Sequence, residues 1–105
     1  NKASVYHYLG KAYEGEYMFE KAENAYREAE SLCPDFATYS VCVANTFVKR
    51  NDLERAKAYL SGKKQTIYYK NNVDDYKILL NAALNDINSK IEKGYVYKPR
   101  GKSKK

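Results

Sequence analysis

Apolar residues at the start of the chain recur at helical intervals. Val5, Tyr6, Leu9 and Tyr13 follow one another at i, i+1, i+4 and i+8, and Phe19, Ala22, Tyr26 and Ala29 at i, i+3, i+7 and i+10. Glu14-Gly15-Glu16 separates the two runs, a polar break with a glycine suited to a tight turn. Pro34 closes the second run. The pattern predicts a helix, a short turn and an antiparallel helix over residues 1–34. Gly10, Ala22 and Ala29 fall where the two axes must come close, because a larger side chain there would push the helices apart.

The pattern then restarts. A shift of 34 residues lays Leu9 on Val43, Gly10 on Ala44, Tyr13 on Phe47, Phe19 on Leu53 and Tyr26 on Leu60. Glu20-Lys21-Ala22 falls on Glu54-Arg55-Ala56. Residues 35–70 therefore read as a second, degenerate copy. Asp35 is placed to cap a helix through about Arg50 that carries Phe36, Tyr39, Val43 and Phe47. Asn51-Asp52 supplies the turn and the next cap, and Leu53, Ala56 and Leu60 stripe the returning helix. Gly62 and Lys63-Lys64-Gln65 either stop that helix or fray it.

Asn71-Asn72 marks a further break. Val73, Tyr76, Leu79, Leu80, Ala83, Leu84, Ile87 and Ile91 then predict one amphipathic helix within residues 71–93. Asp74 and Asp75 fall in its first turn and Lys90 and Lys93 in its last, in keeping with the helix dipole, and Gly94 ends it. Residues 94–105 have no helical pattern. The expectation is five helices followed by a basic, flexible tail.

Tyr6, Leu9-Gly10, Tyr13, Ala22, Tyr26, Ala29 and Pro34 stand at the spacing of the tetratricopeptide repeat, which the first unit resembles. Tyr6 takes the place of the family's usual Trp. The second unit keeps Phe47 and Ala56 and conservative residues at Val43, Ala44 and Leu60, while Lys63 and Tyr68 replace the late Ala and the Pro. The resemblance implies an all-α fold of helix-turn-helix repeats forming a right-handed superhelical segment. The helix of residues 71–93 would be a C-terminal cap that hides the last apolar face. Arrays of this kind usually need three or more repeats to bury a continuous core. Together with the absence of Met at position 1, this leads us to expect the end of a longer array, or a homodimer that covers an exposed end.

Charge changes the picture only locally. The net +6 suggests nucleic acid until it is located, since residues 1–89 balance and the whole excess lies in residues 90–105. Lys98, Arg100, Lys102, Lys104 and Lys105, interleaved with Tyr95 and Tyr97, could hold phosphates while the rings stack on bases. The same segment could lie on anionic lipid. We read it first as a solubilising or acid-docking end, with a nucleic-acid adaptor as the alternative. No run of apolar residues is long enough to span a membrane.

The chain offers no catalytic set. His7 is its single histidine and has no acid or hydroxyl at a suggestive spacing, and Asp74 and Asp75 suit a helix start better than acid–base work. Cys33 and Cys42 are too few for a disulfide scaffold and have no zinc-ligand partners, so reduced thiols in a cytoplasmic protein are expected. No enzyme activity, metal or cofactor is expected. The resemblance implies instead a protein-interaction scaffold that binds a peptide or helix on a concave face lined by the first helix of each pair. On the first helix those positions are His7, Lys11 and Glu14, beside Ser4. The 34-residue counterparts of Ser4, His7, Lys11 and Glu14 are Thr38, Val41, Asn45 and Val48, with Cys42 and Lys49 adjacent. Relatives that clamp the carboxylate tail of heat-shock chaperones carry Lys, Asn and Asn where this chain has His7, Lys11 and Cys42. A clamp of that type is disfavoured.

Overall fold

The computed structural model describes residues 1–99. Among these described residues six α-helices follow one another: α1 (Lys2–Gly15), α2 (Phe19–Leu32), α3 (Ala37–Lys49), α4 (Leu53–Gly62), α5 (Ile67–Lys70) and α6 (Tyr76–Glu92). Helices α1 to α4 pack in sequence order, each on the next, and α6 lies against both α3 and α4 with α5 at its side. Among the described residues the fold is all-α.

The two hairpins repeat each other down to the turn. Tyr17 and Asn51, 34 residues apart, both adopt a left-handed backbone with φ of 62° and 61°. In the first, the amide of Met18 donates to the carbonyl of Tyr13 at 2.9 Å and that of Tyr17 to Glu14 at 2.9 Å. In the second, Asp52 donates to Phe47 and Asn51 to Val48, again at 2.9 Å. This is the closure that satisfies the last carbonyls of a helix through one left-handed residue. Gly15 is therefore not the hinge that the polar break suggested. It is the last residue of α1, and Tyr17 takes the unusual φ.

Close approach of α1 and α2 is set by one pair. A β-carbon on Gly10 would lie 2.5 Å from Cε1, 2.6 Å from Cδ1 and 2.8 Å from Cζ of Tyr26. The counterpart pair is Ala44 and Leu60, both fully buried, where the slimmer side chain leaves room for a methyl. Ala22, Ala29 and Ala56 are likewise fully buried. Around them Phe47, Leu60, Tyr76, Leu80, Leu84 and Ile87 form the core that joins the second hairpin to α6. Each such large apolar side chain contributes about 1.5–3 kcal/mol on burial.

Two carboxylates stitch the hairpins together. Glu30 of α2 accepts a hydrogen bond from Ser40 Oγ at 2.5 Å and another from the Tyr59 hydroxyl, and pairs with Lys63 Nζ at 3.0 Å. Burial by itself would raise the Glu30 carboxyl, but these three donors outweigh it and hold the group below its ordinary value. Glu23 behaves alike. Burial is overcome by Arg27 at 2.6 Å and Arg50 at 2.5 Å, the latter from the end of α3.

Several expected boundaries move. Asp35 does not cap α3: the helix begins at Ala37 with Phe36 at the cap position and no side-chain cap bond. A turn closed by the Phe36 amide on the Cys33 carbonyl carries the chain past Asp35 first, and the Phe36 ring packs edge-on to Tyr39 at 4.8 Å. Helix α4 stops at Gly62, and a 3₁₀ turn over Lys63–Gln65 follows. Thr66 then caps a sixth helix, α5, by accepting from the Tyr69 amide, where five helices were expected. The last helix starts at Tyr76 rather than about Val73, because Asp74 and Asp75 sit at φ of 48° and 64°, outside helical geometry. The Asn72 carboxamide does the capping, accepting from the Lys77 amide at 2.8 Å. Gly94 ends α6 as expected, with φ of 66° and the Tyr95 amide returning to the Lys90 carbonyl.

Candidate partner-binding groove

Helices α1 and α3 are joined by α6 as the third wall of an open groove. Lys11 of α1, Thr38, Val41, Cys42 and Asn45 of α3, and Leu79, Ala82 and Ala83 of α6 line a cavity of about 470 Å³. The α3 residues fall at i, i+3, i+4 and i+7, one stripe of the helix, while Tyr39, Val43 and Phe47 turn the other side into the core. The α6 residues repeat i, i+3, i+4.

Electrostatically the groove is nearly bare. Burial pushes the Cys42 thiol up to about 11, with Lys11 and Lys49 opposing and Glu14 reinforcing, so the thiol is neutral at pH 7 and acts as apolar floor. Thr38 and Asn45 provide polar groups at the rim. Lys11 is exposed, and among the described residues no carboxylate lies within ion-pair distance of it. The arrangement can take an apolar side chain on its floor, hydrogen-bond a peptide backbone through the Asn45 amide, and face one carboxylate with Lys11.

The residues singled out from the sequence thus divide. Lys11, Thr38, Val41 and Asn45 come together. His7 instead packs its ring 5.4 Å from Tyr39, 5.9 Å from Tyr26 and 5.5 Å from Tyr8. Burial, and then the Lys11 cation, lower its pKa, with only Glu14 opposing. Glu14 accepts from the Tyr26 hydroxyl at 2.7 Å and pairs with Lys49 at 3.4 Å. These two charges compensate each other at the turn end of the hairpins and are committed to the framework. Leu79, Ala82 and Ala83 were not foreseen as groove residues. Leu79 was assigned to the same stripe as Leu80, yet neighbours on a helix point about 100° apart, and only Leu80 is buried while Leu79 is 41% exposed.

The start of the tail is held. Asn51 donates from Nδ2 to the Tyr97 carbonyl at 3.2 Å and accepts from the Tyr97 amide at 2.7 Å. The Tyr97 ring lies edge-on to Phe19 at 5.9 Å, with Lys49 Nζ 5.9 Å from its centre. Tyr97 is therefore packed against the turns of both hairpins, not free to stack on a base. Lys98 is exposed. Arg100, Lys102, Lys104 and Lys105 lie outside the described residues.

Among the described residues no three His, Cys, Asp or Glu side chains gather as metal ligands, and no helix is long and apolar enough to cross a membrane. No curated protein and no solved structure matches the chain. Residues 3–36 match the family of the tetratricopeptide repeat, a span that takes in α1, α2 and the following turn. Repeats of this family are generally non-catalytic modules of protein–protein interaction. Residues 3–36 thus match a tetratricopeptide repeat, and the same turn geometry and close-packed pair recur 34 residues on.

Proposed function

We propose that the groove between α1, α3 and α6 binds a short peptide or a helix of a protein partner, so that the chain serves as a scaffold or adaptor. The observation that carries this reading is the open cavity of about 470 Å³ in which an apolar floor meets Asn45, Thr38 and the unpaired Lys11. A preferred ligand places one apolar side chain against Val41, Cys42 and Leu79 and an acidic residue near Lys11. Affinity from so shallow a groove falls in the micromolar range, about −8 kcal/mol.

Peptides selected from a random library on the immobilised chain test this. Their affinity, measured by fluorescence anisotropy, should fall about tenfold or more in Leu79→Arg, which fills the floor with charge, and severalfold in Asn45→Ala and Lys11→Glu. All three positions are exposed, so circular dichroism should report an unchanged helical fold. Unchanged affinity in all three variants removes the site from this groove.

A further inference from the structure

The second hairpin shows what the first one lacks. On α3, Ser40, Val43 and Phe47 are covered by α2 and are at most 1% exposed. Their counterparts on α1, Tyr6, Leu9 and Tyr13, instead line an open cavity of about 320 Å³ together with Ala25 of α2. Leu9 is 40% exposed and Val5, one turn before it, 63%. An apolar face that the fold buries once is thus left open once.

What covers this face must differ from α2 itself. Where α2 meets α3, the buried acid Glu30 needs Tyr59 and Lys63 as donors. At the open face those two positions are Ala25 and Ala29, which cannot donate, so a helix bringing such an acid would lose two of the three donors that hold Glu30. The face calls for apolar surface, and the chain carries such surface itself.

Charge supplies the orientation. Lys21 and Glu28 border the same cavity, seven residues apart on α2, about 10 Å along the helix. Among the described residues neither takes part in an ion pair. A two-fold axis passing beside Asn24 and Ala25 sets α2 antiparallel to its copy and brings Lys21 of each chain to Glu28 of the other. We infer that this face binds a second copy of the chain, forming an isologous dimer with two Lys21–Glu28 pairs astride its axis and the apolar Leu9 and Val5 of each chain covered beside them. The surface is distinct from the groove, so dimerisation and peptide binding are separable.

Sedimentation equilibrium of the full chain tests the dimer. We expect a species of twice the 12.1 kDa chain mass, populated within the range up to about 100 μM that a specific interface reaches. Lys21→Glu and Glu28→Lys, each alone, should weaken it about tenfold by setting like charges opposite one another, and the double exchange should restore it. Leu9→Glu should leave a monomer. The double exchange is the control against misfolding, since it keeps composition and net charge. A wild-type monomer throughout that range overturns the proposal. So does a dimer indifferent to Leu9→Glu and to both single reversals, or the absence of rescue in the double exchange.

Discussion

The contact between Gly10 and Tyr26 makes a quantitative test of how the first hairpin is built. In Gly10→Ala the new methyl would sit 2.5–2.8 Å from three ring carbons of Tyr26, well inside the roughly 3.5 Å of an unstrained carbon contact. The ring cannot easily retreat. It is fully buried and its hydroxyl is tied to Glu14 at 2.7 Å. Overpacking of this kind costs about 1–3 kcal/mol, against a gain of about 1 kcal/mol from replacing glycine inside a helix. Three ring carbons inside 3 Å put the clash in the upper half of that range, so we expect a net loss of about 1–2 kcal/mol, a fall in melting temperature of roughly 4–16 °C for a chain of this size. The second hairpin supplies the remedy, because there Ala44 faces Leu60. In a Tyr26→Leu background, Gly10→Ala should therefore become stabilising by about 0.5–1 kcal/mol, the helix-propensity gain freed of its clash. The four proteins form a double-mutant cycle with a coupling of about 2 kcal/mol in favour of the pair. Urea unfolding followed by circular dichroism measures it. If Gly10→Ala is neutral or stabilising with Tyr26 in place, steric exclusion is not why that position is glycine.

Other consequences concern charge, the tail and the thiols. Glu30 and Glu23 both have carboxyls held below their ordinary value of 4.5. Their stabilisation is therefore fully present above that pH and is lost as pH falls through the depressed folded values. Melts between pH 7 and pH 3 should show this loss, and Glu30→Gln should lower stability by about 1–3 kcal/mol at pH 7 while flattening the acid limb. Asn51→Gly keeps the left-handed turn and removes both hydrogen bonds to Tyr97. Chymotryptic cleavage after Tyr97 should speed up about tenfold with little change in the main unfolding transition, and equal rates would show that the tail is not held by Asn51. Cys33 is half-buried, whereas Cys42 is buried with its thiol pushed up to about 11. Iodoacetamide at pH 8 should thus modify Cys33 first, and Cys42 only on unfolding, as read by peptide mass spectrometry.

Much of this architecture is legible in the sequence because its main signals are local. Apolar residues at intervals of three and four mark the helices, and the 34-residue shift pairs Gly10 with Ala44 and Tyr26 with Leu60. Small residues locate the close approaches without any knowledge of neighbours. The cap assigned to Asp35 and the first-turn placement of Asp74 and Asp75 failed for a reason equally local in appearance but not in cause. Several polar residues stood within reach of each helix start, and the turns that precede α3 and α6 decided which of them was in line.

By itself, then, the sequence determined that the chain is helical, that it folds as two hairpins of one kind followed by a longer helix, and where the axes touch. Tertiary structure decided which apolar positions are interior. Val5 and Leu9 share the helical period of the first stripe but stay exposed, while Val43, the counterpart of Leu9, is fully buried by α2. It also decided the groove, whose third wall comes from Leu79, Ala82 and Ala83 far along the chain, and it removed His7, Glu14 and Lys49 from the free surface by pairing them within the framework. Periodicity specifies the direction in which a side chain leaves its helix. Whether another element lies in that direction depends on packing between distant segments, and only the folded chain contains that information.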